Sequence, residues 1–141
     1  MNTLIKILSM SILSFLLSAC SNKIPTKDEL IGKWETKEGV IIELNQDDTF
    51  IAAGLSKEVG ASFSIGSKEK IFNGKGNWII QKGHGFSELK LQFNEVDGSP
   101  NSSGFYVLLI SGSNTFENTP PWYLFVWEEE EGGNRIKFLQ K

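Results

Sequence analysis

The chain has 141 residues, of which 40% are hydrophobic and 22% charged, with a formal net charge of −3. That length suits one domain with a real core and is short for two. The lysines are scattered singly and no basic stripe exists to neutralise phosphates, so a nucleic-acid role is disfavoured.

From the N-terminus, Lys6 is followed by Ile7, Leu8, Met10, Ile12, Leu13, Phe15, Leu16 and Leu17 with little but serine between them. This run falls short of the roughly 20 apolar residues that span a bilayer, and it ends on small residues as a secretory signal does. Directly behind it stands Cys20, the sole cysteine of the chain. A lone thiol in an exported chain has no internal disulfide partner.

Leu17-Ser18-Ala19-Cys20 resembles the lipobox of bacterial lipoproteins. The resemblance implies diacylglycerol on the Cys20 sulfur, cleavage before it, and an acylated new N-terminus. Each buried methylene contributes about 0.8 kcal/mol, so two or three chains anchor stably without spanning the membrane. Ser21 in place of an aspartate implies transfer to the outer membrane, facing the periplasm. Residues 1–19 are then a signal peptide, 20–27 a lipidated tether, and 28–141 the folded domain.

Thr26 and Glu29 have capping-box spacing, which predicts one helical turn through Leu30. Period-two alternation follows in Val40, Ile42 and Leu44, in Leu89, Leu91 and Phe93, and in Ile136 and Phe138 against Arg135 and Lys137. Such alternation means antiparallel strands with one buried face. Gly39, Asp47-Asp48, Gly83 to Gly85, Asp97-Gly98 and Gly132 to Asn134 punctuate them as turns. About eight strands are expected, near residues 33–37, 40–45, 49–55, 75–81, 88–94, 105–111, 122–128 and 134–140, with 56–70 as a loop. The fold class is therefore all-β, an up-and-down antiparallel barrel whose closure removes exposed edges, with a two-sheet sandwich as the rival.

Trp34, Trp78 and Trp122 recur every 44 residues. They read as repeated Trp-led hairpins within one closed sheet, with core packing as their ordinary role. Gly32-Lys33-Trp34 after a helical turn resembles the G-x-W opening of lipocalin-like barrels. Ile42 to Phe50, Gly74 to Trp78, and Arg135 to Phe138 resemble further elements of small bacterial lipocalin-like lipoproteins. That likeness implies Arg135 packed over Trp34. Asp48 departs from it, standing where a glycine is usual.

No catalytic pattern emerges. His84 is the sole histidine, in a Gly-His-Gly turn, and a zinc site would need further ligands. No G-x-S-x-G nucleophile elbow exists. Gly74-Lys75-Gly76 has Glu69 and Gly76 where a phosphate loop needs Gly and Ser or Thr. Glu128 to Glu131 lack the alternating oxygen ligands of a calcium loop and read as a solvated turn. Expected, then, is a non-enzymatic envelope lipoprotein with no cofactor or metal, tethered to the membrane by its lipid. It would bind a small hydrophobic molecule or lipid in a cavity lined by Trp78, Phe93, Tyr106 and Trp122. The alternative is an envelope protein partner, as for an inhibitor or immunity-type factor, met through loop anchors such as Phe63 and Phe116.

Overall fold

The computed structural model describes residues 23–113, 117–128 and 133–141, without the side chains of Ala61 and Phe63. Cys20 and Phe116 lie outside the described residues. The elements in chain order are α1 (Lys27–Leu30), β1 (Gly32–Glu35), β2 (Ile41–Leu44), β3 (Thr49–Ser56), β4 (Ala61–Phe63), β5 (Ile71–Lys82), β6 (Ser87–Val96), β7 (Ser99–Pro100), β8 (Phe105–Gly112), β9 (Trp122–Trp127) and β10 (Arg135–Gln140).

Eight of these strands form a closed antiparallel barrel in meander order, β1-β2-β3-β5-β6-β8-β9-β10, with β10 returning to β1. All eight expected strands are present. The loop expected over 56–70 contains the short β4, paired to β8, and β7 similarly extends the edge of β6. β5 begins at Ile71, earlier than its glycines suggest. Gly74 and Gly76 lie within β5. A Cβ on Gly76 would meet the Gln92 carbonyl at 1.9 Å, and one on Gly74 the Phe93 ring at 2.5 Å, so both glycines let β6 approach closely at a bulge.

The interior is filled by its own side chains. Trp34, Ile42, Phe50, Leu89, Leu91 and Leu108 are all essentially inaccessible. Phe93 receives Phe50 and Phe72 edge-on, at centroid distances of 5.0 and 5.5 Å.

One end of the barrel is closed by α1. Its capping box forms as expected, with Glu29 Oε2 accepting from the Thr26 N–H at 2.8 Å. Leu30 is buried in the core, and the Trp34 indole donates to its carbonyl at 2.8 Å. The Trp78 indole donates to the Asn45 carbonyl at 3.1 Å, and Lys27 pairs with Asp48 at 2.5 Å. Asp48 takes the left-handed φ of +67° that a glycine would otherwise supply. Trp34 and Trp122 stand near the start of β1 and β9 while Trp78 lies within β5, and the Trp34 and Trp78 indoles tie the closed end together.

Candidate functional site

At the end opposite α1 the barrel wall is incomplete. β1 and β10 are in register at Trp34↔Gln140 and Glu35↔Leu139, and the pairing stops there. Beyond Glu35 the chain folds over in a tight turn, in which the Thr36 N–H donates to the Val40 carbonyl at 3.0 Å and the Gly39 N–H to the Thr36 carbonyl at 3.2 Å. β10 runs on past this point alongside β9.

The result is a cleft of about 710 Å³ that passes between the β1–β2 turn, the end of β3 and the start of β10. Its floor is apolar, with Leu55, Val59, Tyr106, Val126, Ile136 and Phe138. Its rim carries Glu35, Lys37, Glu38, Glu128, Lys137 and Lys141. The volume lies within the range of small-molecule sites, about 300–1,000 Å³.

Tyr106 anchors the floor. Its hydroxyl donates to the Val59 carbonyl at 2.9 Å, and burial pushes its phenol well above the usual range. A phenol so held keeps its proton at any physiological pH. Among the described residues no three His, Cys, Asp or Glu side chains gather as a metal site would require.

A second groove of about 410 Å³ lies at the α1 end, lined by Lys23, Ile24, Pro25, Lys82, Phe86 and Trp122 among others. The Trp122 indole N–H is buried there without a partner at hydrogen-bond distance. The Glu29 carboxylate is near enough for that indole to add weakly to its lowered pKa of about 2, which comes first from the Thr26 backbone and then from Lys23.

No family model, curated protein or solved structure matches this chain. The site therefore rests on its own geometry.

Of the residues expected to line a cavity, Tyr106 reaches the open-end cleft and Trp122 the smaller groove. Trp78 and Phe93 line neither; both are spent on packing, because the barrel centre is filled. Phe63 falls in β4, where its backbone pairs with Phe105. The expected contact of Arg135 with Trp34 does not form. Trp34 faces the interior at the α1 end, whereas Arg135 starts β10 opposite Trp127 and faces outward.

Arg135 instead lies across an aromatic strip on the outer wall. Its guanidinium carbon is 4.4 Å from the Phe125 ring centroid, 5.0 Å from Trp127 and 5.5 Å from Phe86. Its Nη1 donates to Glu117 Oε1 and to the Tyr123 hydroxyl, each at 2.6 Å. The guanidinium holds the Glu117 carboxyl below its ordinary range. Phe125 is outward-facing yet 0% exposed, because this lattice covers it.

The residues missed from sequence are those of the breach: Thr36, Val59, Ile136 and the free length of β10. The alternation of Ile136 and Phe138 did signal their inward face. Where the β1 pairing stops has no local signature.

Proposed function

We propose that this chain is a lipid-anchored, non-catalytic binding protein of the bacterial cell envelope, lipocalin-like in kind, that takes a ligand with an apolar face into the open-end cleft. The observation that carries the reading is the cleft itself, an apolar concavity in a barrel whose centre is otherwise filled. A small hydrophobic molecule or lipid suits its floor. The charged rim would orient the polar end of such a ligand.

The arrangement of the ends supports the anchor. Lys23, three residues after Cys20, pairs with Glu29 of α1 at 3.1 Å. A lipid on Cys20 would therefore hold the α1 end toward the membrane and turn the cleft away from it. The Gly32-Lys33-Trp34 opening after a helical turn, at the closed end of an eight-stranded meander, supports the lipocalin-like kind.

Two measurements test this. A chain starting at Lys23 keeps α1 and every described strand, and it should bind an apolar fluorescent dye such as anilinonaphthalene sulfonate saturably. Val59→Trp, which fills the floor, should weaken that binding at least tenfold, and dye binding indifferent to the substitution would end the cleft reading. In cells, fatty-acid label should enter the wild type and not Cys20→Ala; equal label would end the anchor reading.

A further inference from the structure

The edge of β10 carries more information than the floor of the cleft. In an antiparallel pair the residues that exchange backbone hydrogen bonds alternate along the strand. The Lys141 N–H donates to the Lys33 carbonyl at 2.9 Å, so the odd-numbered residues of β10 turn their backbone groups toward β1. Its even-numbered residues turn theirs toward β9, in keeping with the bond from the Glu128 N–H to the Asn134 carbonyl at 2.9 Å. Leu139 and Lys141 meet β1. Arg135 and Lys137 do not, because β1 has ended at Glu35. Their N–H and C=O groups therefore face the cleft, and among the described residues no strand receives them.

We propose that this edge receives an extended polypeptide segment of a partner protein, added as a further strand between β10 and the β1–β2 turn. The inference rests on the reading of the cleft as a binding site and names its occupant. A row of alternating donors and acceptors is matched by an extended backbone, and pockets beneath it select every second side chain. An apolar small molecule fills the floor and leaves that row unmet.

Charge narrows the partner. Lys37, Lys137 and Lys141 line the cleft, are exposed, and make no ion pair among the described residues; the Lys137 ammonium rests 4.7 Å from the Tyr123 ring. Of the cleft's carboxylates, Glu35 pairs with Lys33 at 3.8 Å, and Glu38 and Glu128 stand at the outer rim, at the β1–β2 turn and just past the end of β9. Cross-strand neighbours of opposite charge are favoured and like charges opposed. A second copy of this chain would set Lys137 against Lys137, or Arg135 against Lys137, in either central register. The matching segment instead carries an acidic residue opposite Lys137. Apolar residues flank it and drop toward Ile136, Phe138 and Tyr106.

The test uses the full chain in lipid nanodiscs and a fluorescein-labelled peptide of sequence Thr-Val-Glu-Val-Glu-Val-Thr, with empty nanodiscs as background. Fluorescence anisotropy should saturate with the protein. Replacing both glutamates by lysine should weaken binding at least tenfold, and N-methylation of alternate peptide nitrogens should abolish it. Lys137→Glu, checked by its melt for folding, should invert the preference toward the lysine peptide. An N-methylated peptide that binds as well as the parent would overturn the strand-addition proposal, and an unchanged preference in Lys137→Glu would overturn the charge match. Self-association of the chain through this edge, seen by sedimentation and lost in Lys137→Glu, would give the edge to a second copy instead. If no peptide binds while the dye still reports on Val59→Trp, the inference falls and the cleft reading stands; if neither binds, both fall.

Discussion

Replacing Arg135 by methionine keeps an unbranched apolar stem over the outer wall while removing the guanidinium. The loss can be worked from the geometry. A cation over aromatic faces contributes about 0.5–1 kcal/mol when exposed and about 2 when desolvated, and this one is partly buried among three rings. The ion pair to Glu117, whose side chain is 42% exposed, adds about 0.2–1 kcal/mol. The stem still covers part of Phe125, so no packing loss is added and the total should be about 1–3 kcal/mol.

The informative measurement is a double-mutant cycle in urea, since contacting residues couple and residues without shared partners add within about 0.3–0.5 kcal/mol. Arg135→Met with Phe125→Leu should show a coupling of about 1 kcal/mol. Arg135→Met with Trp34→Phe should show none beyond error. Coupling to Trp34 equal to that with Phe125 would refute the outward placement and restore the packing implied by the lipocalin-like resemblance. The pH profile gives a second readout. Because Arg135 depresses the Glu117 carboxyl, the pair's stabilisation is present above the ordinary carboxylate range and is lost as pH falls through the lowered value. Arg135→Met should flatten that acid limb.

Trp34→Ala should cost about 3–5 kcal/mol, since it empties a fully buried site and leaves the Leu30 carbonyl without its donor, whereas His84→Ala in its exposed turn should leave the melt unchanged; the reverse ranking would mean the closed end is elsewhere. Gly76→Ala should cost about 3 kcal/mol, because the new Cβ meets backbone rather than a movable side chain, and a neutral result would show that β5 and β6 are not this close. Glu29, depressed to about 2 chiefly by the Thr26 N–H, should stabilise α1 above about pH 4.5 and progressively less down to about pH 2. At its exposure that amounts to roughly 1 kcal/mol after solvent screening, so Glu29→Gln should lose the acid dependence in a urea-midpoint series, and unchanged acid limbs would count against the capping geometry.

β2, β6 and β10 were legible because period-two alternation runs between turn residues and a buried face enforces that register, whereas β8 and β9 are nearly continuous apolar runs. The capped turn was legible for the same local reason. Ile71 to Asn73 were hidden behind Gly74 and Gly76, whose meaning depends on Phe93 and Gln92, about twenty residues away and on another strand. β4 pairs with β8, a neighbour that only the closed barrel supplies, and β7 is a two-residue return onto β6 across the Asp97-Gly98 turn. The outward face of Arg135 was readable from its alternation with Ile136 and Phe138; the family resemblance pointed the other way, and local chemistry decided. The breach beside β10 had no such sign, because it depends on where β1 stops relative to a strand at the other end of the chain.

That breach follows from how this barrel spends its residues. An eight-stranded barrel is just wide enough for its own side chains to fill, and this chain fills it with three tryptophans and several phenylalanines, leaving little for a ligand at the centre. A meander must also close between its first and last strands, and here the first is four residues long and the last six. The wall runs out at the seam, and an unmatched edge is ordinarily a liability for association between copies. Arg135 and Lys137 occupy that edge and oppose its pairing with itself, while the apolar floor beneath stays open. If the edge takes a further strand, these two charges favour a segment of opposite sign over a second copy.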